Sequence, residues 1–361
     1  MAIFVSGRKG RPRTRVVEFF IQVFVLSVIA YSLYVTTVEI ASHSDNWLII
    51  YRGQSVFGGL YLLSVVFLIP RLGIVYVSLT LGRETHNTPK YPLPDKDHLT
   101  EPYECVNLDG DLATCTKCSG AWKPPRSFHC STCGVCRMHF HHHCPWVGNC
   151  VTNTRMKTFL SMLLIAPIAF SVSLIPIWHA LARHMALALQ SSQQDAWAAQ
   201  FWWDWWGSWI FFGGPLGRWI FGMGLGFHIL KAERRDDLPL VEQPNLRLFT
   251  ICAFGLIFSF FALALALWTI ADILRGLTTL DALQERYPNR PSRFVCFPRD
   301  NTRDVSRTAT AILPGERIYD LGHWVNLRNI FDSEFNNTMG YVWPRLNPFV
   351  LDRMQNTIQS E

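Results

Sequence analysis

The chain has 361 residues, 49% of them hydrophobic, 14% aromatic and 17% charged, with a formal net charge of +6. A single large soluble domain would spread its apolar residues along the chain, whereas here they fall into long uninterrupted runs. The positive charge gathers beside those runs, where anionic head groups attract it, so it calls for no nucleic-acid partner.

In chain order, Arg8, Lys9, Arg11, Arg13 and Arg15 precede a run from Val16 to Val38 broken only by Glu18 and Gln22. The run is too long for a signal-peptide core. The basic cluster is either a solvated tail or, by the positive-inside rule, a cytosolic anchor for a first membrane helix, and the second reading is preferred. A second run covers Val56 to Leu81 with Pro70-Arg71 inside it, a third Thr158 to Ala180, and a fourth Leu248 to Ile273. Each reaches the roughly 20 residues that a helix needs to cross a bilayer core. One such run could be a buried soluble helix; four predict an all-α multi-pass membrane protein. The expected organisation is a cytosolic basic N-terminus (1–15), helices one and two (16–81), a cytosolic cysteine-rich domain (82–157), helices three and four with a lumenal Trp- and Gly-rich loop (158–273), and a cytosolic tail (274–361). Within that loop, 209–230 is apolar but holds Arg218, Pro215 and a series of glycines, and follows Trp202, Trp203, Trp205 and Trp206. Glycine weakens a helix and a mid-membrane arginine is costly, so the segment is expected to lie on the membrane surface.

The segment from Cys115 to Cys150 carries the chemistry. It reads Cys115-x2-Cys118, His129-Cys130-x2-Cys133-x2-Cys136, His141-His142-His143-Cys144-Pro145-Trp146 and Cys150. Repeated Cys-x2-Cys spacing in a reducing compartment indicates zinc rather than disulfides. Two tetrahedral sites take eight donors, and this segment holds more. A cysteine and a histidine left over are what a thiolate nucleophile and its base require. With so few aliphatic residues the segment cannot bury enough surface by itself, so metal binding would supply its folding free energy.

These residues resemble the cysteine-rich domain of the DHHC protein S-acyltransferases (palmitoyltransferases), and a fungal-type member is expected. The likeness rests on His129-Cys130-x2-Cys133-x2-Cys136 and on His142-His143-Cys144-Pro145-Trp146-Val147-x-Asn149-Cys150. Pro124-Pro125-Arg126, Thr278-Thr279-Leu280-Asp281 and the stretch from Tyr319 through Asn326 to Phe331 are supporting matches. The resemblance implies that Cys115, Cys118, His129 and Cys136 hold one structural zinc ion and that Cys130, Cys133, His143 and Cys150 hold a second. It leaves Cys144 as the nucleophile and His142 as its base, with an acyl-CoA (palmitoyl-CoA) co-substrate, cysteine-containing cytosolic or membrane proteins as acceptors, and an active site on the cytosolic face of an endomembrane or the plasma membrane. Cys105 is left as an ordinary free cysteine.

The chain departs from the family pattern in four places. His141 stands where an orienting Asp is usual, Thr152 where Gly is, Arg155 where Asn is, and Asp281 where Glu is. His141 is therefore expected to take the orienting role as a neutral acceptor, to be replaced in it by another acid, or to leave catalysis impaired. The competing classes are a catalytically degenerate relative and a membrane-anchored zinc adaptor of RING-like type, neither of which needs Cys144.

Overall fold

The computed structural model describes residues 12–42, 47–82, 91–211, 213–233, 239–285, 293–298, 307–331 and 341–360. The protein is mostly helical. Among the described residues four helices are long and apolar enough to cross a membrane: Arg15–Ile40, Ser55–Leu81, Asn153–Leu174 and Leu246–Leu274. The first comprises α1 (Pro12–Tyr34) and a π-helical continuation, Val35–Ser42; the others are α2 (Ser55–Leu81), α3 (Asn153–Leu174) and, further on, α7 (Leu246–Leu274). The expected third span, Thr158 to Ala180, starts and stops earlier. Pro176 lacks an amide hydrogen and disfavours helix at the residue before it, and a new helix, α4 (Trp178–Gln194), begins just beyond.

The chain forms two compact units. One comprises 26–74 and 163–264. Its core joins Val35, Ile40, Trp47, Tyr61, Val65, Ala169, Ile177 and Leu248. Polar ties close it: Glu242 accepts from the Trp47 indole at 2.8 Å and from Arg183 at 2.7 Å. Within 209–230, the segment expected to lie on the membrane surface, stands the helix α6 (Pro215–Leu230); a short α5 (Ala196–Ala198) precedes it. α6 opens on Pro215 at its first turn, where the missing N–H is harmless. Two of its glycines serve close packing: a Cβ on Gly226 would overlap the Ala188 carbonyl of α4, and one on Gly222 the Trp203 ring. Arg218 is buried, donates to the Trp203 carbonyl at 2.6 Å and to the Ser208 hydroxyl, and lies over the rings of Trp203 and Trp209.

The other unit comprises 1–25, 75–162 and 265–361. It contains the cysteine-rich segment, which folds as three small antiparallel hairpins. β2 (Thr114–Cys115) pairs with β3 (Ala121–Trp122), β4 (Phe128–Cys130) with β5 (Val135–Arg137), and β6 (Phe140–Cys144) with β7 (Asn149–Thr152). A further sheet orders β1 (Tyr103–Cys105), β8 (Phe294–Phe297) and β9 (Thr308–Ala311). The helices α8 (Thr279–Glu285), α9 (His323–Phe331) and α10 (Pro348–Ser360) complete the unit. Cys105 lies buried in that sheet and in neither donor cluster.

Candidate active site

Strand alternation explains how one short segment builds two donor clusters. Successive side chains on a strand face opposite ways. In β4, His129 therefore joins Cys115, Cys118 and Cys136, while its neighbour Cys130 joins Cys133, His143 and Cys150. The register places His129 opposite Cys136 and His143 opposite Cys150, so the β4–β5 and β6–β7 hairpins each contribute a cross-strand donor pair. In each set the four donor atoms lie within 4.8 Å of one another. Metal–sulfur distances of about 2.3 Å in a tetrahedron require S···S near 3.8 Å and S···N near 3.6 Å. The first cluster shows Cys118–Cys136 Sγ at 3.7 Å and His129 Nδ1 at 3.3–3.8 Å from its three sulfurs. The second shows Cys133–Cys150 Sγ at 3.5 Å and His143 Nδ1 at 3.5–3.7 Å. Both sets fit a tetrahedral metal ion with four protein donors.

Alternation in β6 separates the remaining pair from the donors. With His143 on the cluster side, His142 and Cys144 share the opposite face. Cys144 is buried, and the turn behind it closes through Val147 N–H and Gly148 N–H to the Cys144 carbonyl at 3.2 and 2.8 Å. Burial pushes the thiol up from its ordinary value, while the Val147 and Trp146 amides pull the other way. Burial lowers His142 to about 4, with the adjacent His143 adding to it, so the imidazole is neutral at neutral pH. Its ring meets Phe159 edge-on, and Nδ1 has no hydrogen-bond partner among the described residues.

The turn is fixed from below by α2. The Tyr76 hydroxyl donates to the Trp146 carbonyl at 2.8 Å, and Asn149 Nδ2 donates to the carbonyls of Leu79 and Gly82 at 3.2 and 2.9 Å. Arg155, one of the departures from the family pattern, donates to the Leu79 and Ser78 carbonyls at 2.5 and 3.2 Å. A guanidinium there adds a second donor to carbonyls at the C-terminus of α2, which already accept from Gly82 N–H and Asn149 Nδ2, and complements the helix dipole.

His141 sits at a register irregularity between Phe140 and His142. A bulge of this kind re-aims the extra side chain. Its Nε2 donates to Asn153 Oδ1 at 2.7 Å, and its Nδ1 accepts from the Thr279 N–H at 3.3 Å. Burial lowers it to about 3, against the opposing Asn153 bond. Both nitrogens thus face Asn153 and Thr279, and neither of these bonds reaches His142.

Thr279 belongs to the Thr-Thr-x-Asp motif, which is a capping box of α8. Asp281 N–H donates to Thr278 Oγ1 at 3.1 Å and Thr278 N–H donates to Asp281 Oδ2 at 3.1 Å. The shorter Asp closes the box as Glu would. Asp281 also accepts from Arg126 at 3.2 Å; burial raises its carboxyl, and Arg126 with the Thr278 amide more than offsets that, leaving it below the usual range. The tail motif ties down the end of α7: Asn326 Nδ2 donates to the Leu274 carbonyl at 3.0 Å while its Oδ1 accepts from Leu321 N–H at 3.0 Å. Sequence reading had no means of assigning these partners, nor those of Glu18 and Gln22, which α1 directs at the β6–β7 hairpin.

Residues 109–286 match the family model described as DHHC palmitoyltransferase. Over that stretch, about half of its length, the chain is similar to the DHHC palmitoyltransferases. It is 37% identical to Palmitoyltransferase ERF2 of Eremothecium gossypii over 89 residues, which is 25% of this chain and 22% of that protein. It is 46% identical to Probable protein S-acyltransferase 13 of Arabidopsis thaliana over 67 residues, 18% of this chain and 22% of that one. With Palmitoyltransferase pfa3 of Emericella nidulans it shares 34% identity over 127 residues, 30% of this chain and 24% of the relative. The aligned stretches thus span less than a quarter of each of these relatives.

Proposed function

We propose that the protein is a protein-cysteine S-acyltransferase that moves a long-chain acyl group, palmitoyl in the first instance, from acyl-CoA to cysteine thiols of cytosolic or membrane proteins. The observation that carries this reading is the face of β6 on which His142 and Cys144 stand together while His143 turns to the second donor cluster.

Both clusters hold structural zinc ions. With four protein donors each they leave no open position, and their contribution is folding free energy rather than Lewis acidity. The neutral His142 takes the proton of the Cys144 thiol. The thiolate sulfur attacks the thioester carbonyl, the carbon–sulfur bond to CoA breaks, and CoA leaves as its thiol with the proton returned by His142. The acyl-enzyme thioester is then attacked by an acceptor cysteine, which releases Cys144. The acyl chain stays in the apolar environment of the membrane helices, where each buried methylene contributes roughly 0.8 kcal/mol. His141, held neutral by burial, positions β6 through Asn153 and Thr279 rather than serving as a charged partner for the base.

The positive-inside rule puts the N-terminus, the cysteine-rich domain (82–157) and the tail (274–361) in the cytosol, and the Trp-rich insertion at the lumenal membrane surface. The protein resides in an endomembrane or the plasma membrane. Asn336-Asn337-Thr338 lies outside the described residues; on this topology the sequon stays unglycosylated in the native protein, and a glycan on it would reverse the orientation. The activity is tested by incubating purified protein with a labelled palmitoyl-CoA. A hydroxylamine-sensitive label on wild type, absent from Cys144→Ser at unchanged zinc content, is the expected result. No label on wild type, with both zinc ions bound, leaves the catalytically degenerate relative and the membrane-anchored zinc adaptor.

A further inference from the structure

Two polar residues of the first membrane helix have no part in the reaction above. Glu18 and Gln22 lie four residues apart, so they share one helix face. Both are buried, whereas Val16, Val17, Phe19, Phe20 and Val23 around them are exposed. Polar side chains in a spanning helix are costly and are kept where they have partners. The partners of both lie in the β6–β7 hairpin. Glu18 Oε1 accepts from His143 Nε2 at 3.0 Å. Gln22 Nε2 donates to the Val147 carbonyl at 3.1 Å. Gly148, with φ +63°, follows directly, and a Cβ there would overlap Gln22 Nε2, so the turn backbone rests on the helix. A carboxylate on Nε2–H leaves Nδ1 of His143 for the sulfurs of Cys130, Cys133 and Cys150, which is the nitrogen that faces them. Outer carboxylates fix the tautomer and ring orientation of metal-ligating histidines in this way.

We propose that Glu18 and Gln22 form a latch by which the first membrane helix grips the Cys144 turn from both sides. Glu18 is a positioning residue for the metal-ligating ring of His143. Gln22 is a positioning residue for the backbone at Val147 and Gly148, and so for the thiol that this turn presents. The role of Gln22 rests on the acyltransferase reading; that of Glu18 does not.

The test uses full-length, zinc-loaded protein in nanodiscs. Release of zinc to EDTA and autoacylation by palmitoyl-CoA are followed in the same preparations. Glu18→Ala is expected to speed loss of one of the two ions about tenfold or more, while Glu18→Gln, which keeps an acceptor oxygen, stays within roughly threefold of wild type. Gln22→Leu is expected to leave zinc release unchanged and to lower kcat for autoacylation more than it raises KM. Equal release from wild type and Glu18→Ala overturns the latch, as does parallel loss of both ions, which marks general unfolding. An unchanged kcat in Gln22→Leu removes Gln22 from it. If zinc release responds as stated while even wild type fails to acylate, the Glu18 contact stands and the acyltransferase reading fails. If wild type acylates and zinc release ignores Glu18, the reverse holds.

Discussion

The cysteine-rich segment and the Trp-rich insertion between α3 and α7 face the same difficulty and answer it differently. Each must hold short elements together without an aliphatic core. In the first, the buried cluster around the second donor set is Cys130, Cys133, Phe140 and Cys150, so the donors themselves are much of the interior. In the second, α4 and α6 approach closely at Gly226, and the Arg218 guanidinium is enclosed by Trp203 and Trp209. Metal donors act as a closed set: removing one removes the site. Aromatic packing is graded: removing one ring leaves the others in contact.

That contrast can be broken or sharpened by experiment. The largest effect is expected from the metal. Stripping zinc, or substituting Cys133 or Cys118, should unfold the cysteine-rich unit, since a structural site contributes on the order of 10 kcal/mol. Metal analysis and thermal unfolding check this, and Cys144→Ser should keep two ions per chain; loss of one would make Cys144 a ligand. Next in size, His142→Ala should lower autoacylation by ~10²- to 10⁴-fold, the usual contribution of a general base, with zinc still bound. Gly226→Ala should destabilise the α4–α6 crossing by about 1–3 kcal/mol through overpacking. Faster limited proteolysis within 178–230 at unchanged zinc content is the readout, and equal cleavage rates would mean that the crossing adjusts freely. The smallest effect is expected at His141. His141→Asp, whose carboxylate can accept from the Thr279 amide, should retain or raise autoacylation, and His141→Ala should cost less than His142→Ala. Loss of activity in His141→Asp with both ions bound would give the imidazole its own indispensable role.

The same contrast explains what was legible in the sequence. The four spans showed as apolar length, and the eight donors as discrete residue types at short intervals. The third span was misjudged at its end, where Pro176 separates two helices that an apolar count merges. The helix over Pro215–Leu230 was hidden because its glycines and Arg218 read as disruptive; Gly222, Gly226 and Arg218 become favourable only against Ala188 and the Trp rings. Glu18 was visible as an interruption, but its partner His143 lies 125 positions away. Thr279 and His141 meet across 138 positions. Spacing within a segment reports local geometry, and such distant pairings arise only once both elements have folded.

The shared strand β4 has a consequence for how the folded protein comes into being. His129 and Cys130 are neighbours on one short strand, yet each belongs to a different donor cluster. A molecule holding a single ion would have this strand ordered by one face and unsupported on the other. The first ion bound bears the cost of ordering the strand, and the second meets a strand already in place. Zinc uptake should therefore be switch-like, and a cell short of zinc would hold fewer fully loaded molecules rather than many half-loaded ones.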